Sequence, residues 1–127
     1  MSSASDPCSP LPPALDGLTV LDVSRVLAGP YCSMLLADLG ATVVKIERPP
    51  CGDDTRAWGP PYLGERDLVL SAYFLAVNRG KRSVCLDLSS PAGRDLLLDM
   101  VRRADVLVEN FAPGVADRLG LGAEAIA

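Results

Sequence analysis

Arg25, Arg48 and Arg118 stand where a guanidinium group could bind an anionic ligand. A guanidinium stays charged and forms paired hydrogen bonds to phosphate and carboxylate oxygens. Arg25 and Arg48 each follow a β-branched apolar run, and the loop of Arg25 leads into Gly29-Pro30 and an apolar helical pattern. Free backbone N–H groups at the start of such a helix, at the carboxyl end of a parallel strand, favour phosphate groups. The loop that holds Arg25 and the helix start after it therefore indicate a site for a phosphate-bearing ligand.

Other interpretations of the charged residues remain open. The arginines could be surface charges or ion-pair partners of Asp16, Glu47 or Asp117. Glu47 ends an apolar run, where proteins that bind nicotinamide dinucleotides keep a ribose-binding acid. However, the first loop reads SRVLAGP and lacks the GxGxxG pattern of those proteins. The adjacent carboxylates Asp53 and Asp54 could act in catalysis, but the Gly-rich loop around them favours a solvated pair.

The composition argues against several other kinds of site. The 127-residue chain has no histidine, which removes imidazole bases, Ser-His-Asp triads and most zinc sites, and we predict no metal. A net charge of −4 argues against a nucleic-acid partner, which would require a basic face. Cys8, Cys32, Cys51 and Cys85 show no ligand spacing, so we expect reduced, small core residues in an intracellular protein. No apolar run approaches the roughly 18 residues of a membrane helix, so we expect a soluble protein with no membrane partner.

The first loop belongs to a predicted strand, loop, helix and strand. Residues 18–23 and 41–46 are β-branched apolar runs that predict two strands. Between them, Pro30 suits the first helical position and Gly40 suits the left-handed residue just past the helix end. The helix face that we expect to lie on the sheet carries apolar residues at helical spacing: Tyr31, Met34, Leu35 and Leu39.

The rest of the chain repeats this alternation. A Gly- and Pro-rich loop at 51–67 is followed by a predicted helix whose apolar face carries Leu70, Tyr73, Phe74 and Val77. A strand is predicted at 83–88, and after it a helix that Ser90 caps and that has Pro91 at its first position. The last predicted elements are a strand at 105–109 and a helical turn at 115–119. Right-handed crossovers would bring the loops that follow the strands to one edge of the sheet. We therefore predict an α/β fold with a Rossmann-like parallel sheet and flanking helices.

The predicted domain is incomplete. Residues 121–127 have the pattern of a helix that has only begun, so we expect residues 15–127 to be the N-terminal part of a larger domain. Residues 1–14 are rich in Ser and Pro and lack the apolar segment of a secretory signal, which predicts a flexible leader.

Four phrases, in order along the chain, resemble the N-terminal part of the family III CoA-transferases. They are LDGLTVLDVSRVLAGPYCSMLLADLGATVVKIERP, GDDTRAWGPPY, NRGKRSVCLDL and ADVLVENFAPGVADRLGLG. The family includes formyl-CoA, carnitine and succinyl-CoA:glutarate CoA-transferases and the related α-methylacyl-CoA racemase. The resemblance covers residues 15–127 and about the first third of the family's usual length.

The resemblance implies a coenzyme A site and no catalytic residue within this chain. The nucleophilic aspartate of the transferases would lie beyond residue 127, so we expect the chain alone to be inactive. Ser89 stands where the family commonly has a lysine, and Phe111 could either stack near the ligand or plug the core beneath its loop. The residues that match ligand-binding positions of the family are Arg25, Val26, Leu27, Ala28, Gly29, Pro30, Arg48, Leu86, Asn110, Phe111 and Arg118.

The function that the resemblance implies is the transfer of coenzyme A from an acyl-CoA, such as succinyl-CoA, to a free carboxylic acid. A racemase-like enzyme is an alternative, although the GDDTRAWGPPY segment favours a transferase. A truncated, non-catalytic fragment that binds coenzyme A is another. The resemblance also implies that the full-length protein is an interlocked homodimer. We expect a cytoplasmic location, or a mitochondrial one if the N-terminus is incomplete.

Overall fold

Strands and helices alternate along the chain in a computed structural model that describes residues 11–64 and 69–126. In chain order the elements are β1 (Thr19–Asp22), α1 (Ala28–Asp38), β2 (Thr42–Glu47), a 3₁₀ turn (Asp54–Ala57), β3 (Tyr62–Leu63), β4 (Leu70–Ser71), α2 (Ala72–Asn78), β5 (Lys81–Cys85), α3 (Pro91–Val101), β6 (Val106–Val108), α4 (Val115–Arg118) and α5 (Ala123–Ile126). Four strands pair in parallel in the order β5-β2-β1-β6, and β3 pairs antiparallel with β4. The predicted α/β fold with a parallel sheet is confirmed.

Helices cover both faces of the sheet because side chains along a strand alternate between the faces. Val20 and Val43 pack against α1, whereas Leu21 and Ile46 pack against Leu97 of α3. All four strands run in the same direction, so the loops that follow them lie at one edge, as predicted. The strand order reverses between β1 and β6, and such a reversal opens a crevice at the carboxyl edge of a parallel sheet.

Helix α1 begins earlier than the sequence predicted. It starts at Ala28, so Pro30 is the third helical residue and not the first. Its end is as predicted, because Gly40 has a φ of +103° immediately after the cap residue Leu39. The early start places Gly29 and Pro30 in the buried part of the helix.

The face of α1 that lies on the sheet also differs from the prediction. Met34 is buried at 2% exposure, but Tyr31, Leu35 and Leu39 are 50%, 43% and 50% exposed. The buried position beside Met34 belongs to Ser33, whose hydroxyl donates to Asp22 at the end of β1. Hydrophobic spacing predicted the wrong face because a polar contact, rather than apolar area alone, sets the rotation of this helix.

The segment between β2 and α2 is more ordered than a plain surface loop. It contains the 3₁₀ turn, capped by the Asp53 carboxylate, which accepts from Thr55 N at 3.0 Å, and it contains the short strand β3. Leu70, expected on the helix, lies in β4, and α2 begins at Ala72 with a Ser71 cap. Residues 65–68 lie outside the described part of the chain.

Strand β5 lies slightly before its predicted position, whereas the start of α3 is as predicted. β5 pairs with β2 from Lys81 to Cys85, and Leu86 N still donates to Glu47 O at 2.8 Å, but residues 86–88 of the predicted 83–88 strand lie outside the strand. At α3, Ser90 Oγ accepts from Gly93 N at 3.0 Å and Pro91 is the first helical residue.

Cys32, Cys51 and Cys85 are exposed free thiols, so the prediction of core residues is wrong for these three, and Cys8 lies outside the described residues. The first ten residues of the predicted leader also lie outside them, and Pro13 packs against Gly40. None of the described helices is long and apolar enough to cross a membrane.

Candidate functional site

A cleft of about 390 Å³ opens at the carboxyl edge of the sheet. A volume of this size suits a small molecule or one part of a larger cofactor. Its walls combine apolar side chains from both sides of the β1–β6 reversal with charged side chains at the mouth. The lining residues are Val23, Arg25, Lys45, Ile46, Glu47, Arg48, Pro49, Gly52, Asp53, Leu86, Asp87, Leu88, Ser89, Phe111, Val115 and Leu119.

The loops that follow β1 and β6 are bound directly to each other beside this cleft. Arg25 N donates to Asn110 Oδ1 at 2.9 Å, and Asn110 Nδ2 donates back to Arg25 O at 2.7 Å. Val23 N also donates to Val108 O at 2.9 Å. Two loops far apart in sequence, both predicted to belong to the site, are therefore held together beside the cleft.

Arg25 and Arg48 both lie at the mouth of the cleft and share one acidic partner. Arg25 Nη1 lies 3.3 Å from Asp54 Oδ2, and Arg48 Nη2 contacts Asp54 Oδ1. The two guanidinium side chains are 46% and 55% exposed, so both can reach a ligand. The partner is Asp54 for both, and not the Asp16 or Glu47 considered from the sequence.

The structure divides the other predicted site residues into two groups. Leu86 and Phe111 line the cleft, and Phe111 also packs on the core cluster around Leu97, so it faces both environments. Arg118 lies outside the cleft wall. Two nearby residues do line the cleft: Val115, in the same short helix, and Leu119, which follows that helix. The remaining predicted residues, which also lie outside the wall, are Val26, Leu27, Ala28, Gly29, Pro30 and Asn110.

The loop that follows β1 forms a tight turn next to the cleft. Val26 has a φ of +72°, a conformation that a β-branched residue rarely adopts. Gly29 is required by close packing, because a Cβ at this position would lie 2.2 Å from both Cβ and Oγ of Ser24. The tight turn formed by Ser24 to Gly29 positions Arg25 at the mouth.

Lys45 and Asp53 form a buried pair in the cleft wall that sequence analysis missed. Their side chains are 1% and 0% exposed, and Lys45 Nζ lies 2.9 Å from Asp53 Oδ2. Lys45 Nζ also donates to Ser24 O at 2.9 Å, which ties β2 to the first loop. The prediction of a solvated Asp53–Asp54 pair is therefore wrong for Asp53. A lysine inside the apolar strand TVVKIE was the signal for a buried partner.

A second buried pair, Asp22 and Lys81, lies under α1. Asp22 Oδ2 accepts from Lys81 Nζ at 2.9 Å and from Ser33 Oγ at 2.5 Å, while Oδ1 accepts from Ser24 N at 2.9 Å. Burial by itself raises the pKa of Asp22, but Lys45, the two serine hydroxyls and Lys81 outweigh it and lower the pKa. For Lys81, burial is the largest influence and lowers the pKa.

Both carboxylate oxygens of Glu47 accept hydrogen bonds from other groups of the protein. Arg56 donates to both of its oxygens, from Nε at 2.7 Å and Nη2 at 2.6 Å, and Ser83 Oγ and Asp53 N donate at 2.6 and 2.8 Å. Burial raises the pKa of Glu47, but these hydrogen bonds prevail and lower it to about 2. Glu47 is therefore a structural carboxylate and not a free acceptor for a ribose.

The sequence model of CoA-transferase family III matches residues 15–127. This match covers most of the chain. The chain belongs to CoA-transferase family III.

Individual family III proteins agree with this assignment. The chain is 47% identical over 112 residues to the human succinyl-CoA:glutarate CoA-transferase, a match that covers 88% of this chain and 25% of that protein. It is 51% identical over 121 residues to the acetyl-CoA:oxalate CoA-transferase of Acetobacter aceti, which covers 95% of this chain and 30% of the enzyme. This chain therefore spans between a quarter and a third of the length of these relatives.

A solved structure shows the same fold. A CaiB/BaiF family protein from Brucella suis superposes with a TM-score of 0.86 at 46% sequence identity. The superposition covers 91% of this chain and 30% of the Brucella chain. The arrangement of sheet and helices described above is thus shared with that protein over this part of its length.

Proposed function

We propose that this chain supplies the coenzyme A-binding part of a CoA-transferase, which moves coenzyme A from an acyl-CoA to a free carboxylic acid. The observation that carries the proposal is the cleft at the β1–β6 reversal, where Arg25 and Arg48 stand at the mouth of an apolar pocket. The names of the human and Acetobacter relatives favour succinyl-CoA or acetyl-CoA as donor and a dicarboxylate as acceptor. They also favour a transferase over the racemase-like alternative.

The chemistry of coenzyme A matches the two kinds of wall in this cleft. Its diphosphate and 3′-phosphate groups are anions that a planar guanidinium binds through paired hydrogen bonds. Its adenine is a flat, largely apolar group that suits the surface formed by Leu86, Leu88 and Phe111. We propose that Arg25 and Arg48 bind phosphate oxygens and that these three side chains contact the base.

The described carboxylates near the cleft have structural roles in this proposal. Asp53 is paired with Lys45, Glu47 with Arg56, and Asp54 with the two arginines at the mouth. A cation bound to its oxygens lowers the nucleophilicity of a carboxylate, so these pairs favour a structural role. We therefore assign them no catalytic step and propose that these residues bind and orient the coenzyme.

Two further proposals rest on the family resemblance. We propose that the full-length protein is a homodimer whose chains interlock and that it acts in the cytoplasm. Light scattering of the full-length protein and fractionation of the source cells would test them.

Substitution of the predicted arginines tests the binding proposal. Arg25→Ala or Arg118→Ala should weaken coenzyme A binding by about 1.5 to 3 kcal/mol, the size of a lost hydrogen bond to a charged group. Isothermal titration calorimetry measures this change. Arg79→Ala is a matched control, because Arg79 is also half-exposed and paired with an acid, Asp38, but lies at the opposite edge of the sheet.

The outcomes of this titration show which of these arginines belong to the coenzyme A site. Unchanged affinity in the Arg25 variant would remove the cleft as the coenzyme site. Unchanged affinity in the Arg118 variant alone would contradict the role that the family resemblance gives Arg118 and would limit the site to the residues at the cleft mouth.

A further inference from the structure

Asp54 occupies the place between Arg25 and Arg48 where an anionic ligand would bind. Each of its carboxylate oxygens faces a different guanidinium, with Oδ2 3.3 Å from Arg25 Nη1 and Oδ1 in contact with Arg48 Nη2. Two guanidinium groups from separate loops around one anionic group form the arrangement that also binds a phosphate.

The position of the Asp54 carboxylate is imposed by its buried neighbours. Asp53 is held by Lys45 at 2.9 Å and caps the 3₁₀ turn, and Thr55 is fully buried. Asp54 stands between them with a side chain that is 38% exposed. The backbone on both sides is thus fixed by the core, while the carboxylate contacts the two arginines that line the cleft mouth.

The other acids of the cleft have partners other than the two arginines. Asp53 faces Lys45, and Glu47 faces Arg56. Asp87 accepts from the backbone N–H and the hydroxyl of Ser89 at 2.9 and 2.6 Å. Among the described ion pairs, Asp54 is the acid that offsets the charge of the arginine pair.

We propose that Asp54 is an internal anion that holds Arg25 and Arg48 in the free protein and competes with a phosphate group of coenzyme A for them. This inference rests on the proposed function. Exposed ion pairs contribute little to stability, so the two arginines can exchange partners easily. The carboxylate remains close to the bound phosphate, and their repulsion lowers the affinity for any anion that binds by charge alone. The same penalty applies to coenzyme A and to a bare phosphate, so a ligand needs the apolar contacts of the cleft to offset it.

The test compares Asp54→Asn with the unchanged protein in titrations with coenzyme A and with inorganic diphosphate. Asparagine keeps the shape of the side chain and removes its charge. We expect both probes to bind three- to tenfold more tightly at about 50 mM salt, and the gain to shrink at about 500 mM salt, where charges are screened. Asp38→Asn should leave both affinities unchanged. It is a matched control, because Asp38 pairs with Arg79 at a similar exposure of 40%.

Equal or weaker binding of coenzyme A by Asp54→Asn would overturn the inference, since it would show that Asp54 only positions the arginines. An equal gain in Asp38→Asn would overturn it as well. If coenzyme A fails to bind the unchanged protein but Asp54→Asn binds diphosphate more tightly, the proposed function fails and the competition at the arginines stands. If neither probe binds either protein, both proposals fail. If Asp54→Asn does not fold, Asp54→Ser is titrated in its place, and the same outcomes apply.

Discussion

Three acid–base pairs stabilise the surroundings of the cleft: Asp22 with Lys81 under α1, and Lys45 with Asp53 and Glu47 with Arg56 at the cleft wall. A buried charge without a partner costs several kcal/mol, so each pair is strongly constrained in position. Their hydrogen bonds reach backbone atoms of the first loop and of α1, including Ser24 O and Pro30 O. At the scale of single residues, paired charges therefore fix the backbone around the site, and two exposed arginines lie at its mouth.

Glu47→Gln should lower the free energy of unfolding at pH 7 by about 2 to 3 kcal/mol, because it leaves Arg56 without its charged partner. The pKa of Glu47 falls from an ordinary 4.5 to about 2 on folding. A lowered pKa stabilises the fold above the unfolded value, and this stability is lost as the pH falls from about 4.5 to about 2.

Urea denaturation at pH 7 and at pH 3 measures both effects. The difference between Glu47→Gln and the unchanged protein should be smaller at pH 3. Glu124→Gln removes an exposed carboxylate of α5 and should have little effect at either pH. A Glu47 variant as stable as the unchanged protein at pH 7 would show that the Arg56 contacts add nothing to stability.

At the scale of elements, α1 and α3 both follow strands but begin in different ways. Ser90 caps α3 through its own side chain, whereas no described side chain caps α1 at Leu27. The start of α1 is held by tertiary contacts instead, with Gly29 against Ser24 and Lys81 Nζ bound to Pro30 O at 2.8 Å. The start of α1 thus depends on the core, whereas the start of α3 depends on local sequence.

Ser90→Ala should destabilise the protein by about 1 kcal/mol, because Gly93 N loses its hydrogen-bond acceptor at the first turn of α3. Thermal denaturation followed by circular dichroism measures the change. Ser89→Ala is the neighbouring control and should shift stability by less than about 0.5 kcal/mol, as an exposed hydroxyl outside the cap. Equal effects of the two substitutions would argue against the capping role.

At the scale of the molecule, α1 presents an apolar stripe to solvent. Leu27, Tyr31, Leu35 and Leu39 recur every fourth residue with 49%, 50%, 43% and 50% exposure. Residues at this spacing lie on one side of a helix, so the four side chains form a continuous surface. Continuous exposed apolar surface promotes association.

We expect residues 1–127 to self-associate as their concentration rises, because this stripe is uncovered. Size-exclusion chromatography with light scattering measures the change in mass. Leu35→Lys should reduce the association, whereas Leu96→Lys, at an equally exposed position on α3, should reduce it less. A stable monomer at all concentrations would contradict the expectation.

The elements were predictable where their signals are local. Gly40 and the Ser90-Pro91 pair mark helix ends through their own backbone preferences, and β-branched runs mark β1 and β2. The segment around Asp53 was not predictable in the same way, because the turn there is stabilised by a lysine from β2. The resemblance brought Arg25, Arg48, Leu86 and Phe111 into consideration, and the structure places all four on the cleft.

The sequence by itself determined the alternation of strands and helices, the family, and the loops from which the site is built. The tertiary structure alone decided that Lys45 and Asp22 are buried, that Tyr31 and Leu35 are exposed, and that Asp54 stands between the two arginines. Periodicity and capping act over a few neighbouring residues, so they can be read along the chain. The partner of a charge and the rotation of a helix are set by atoms that only folding brings within a few ångströms of each other.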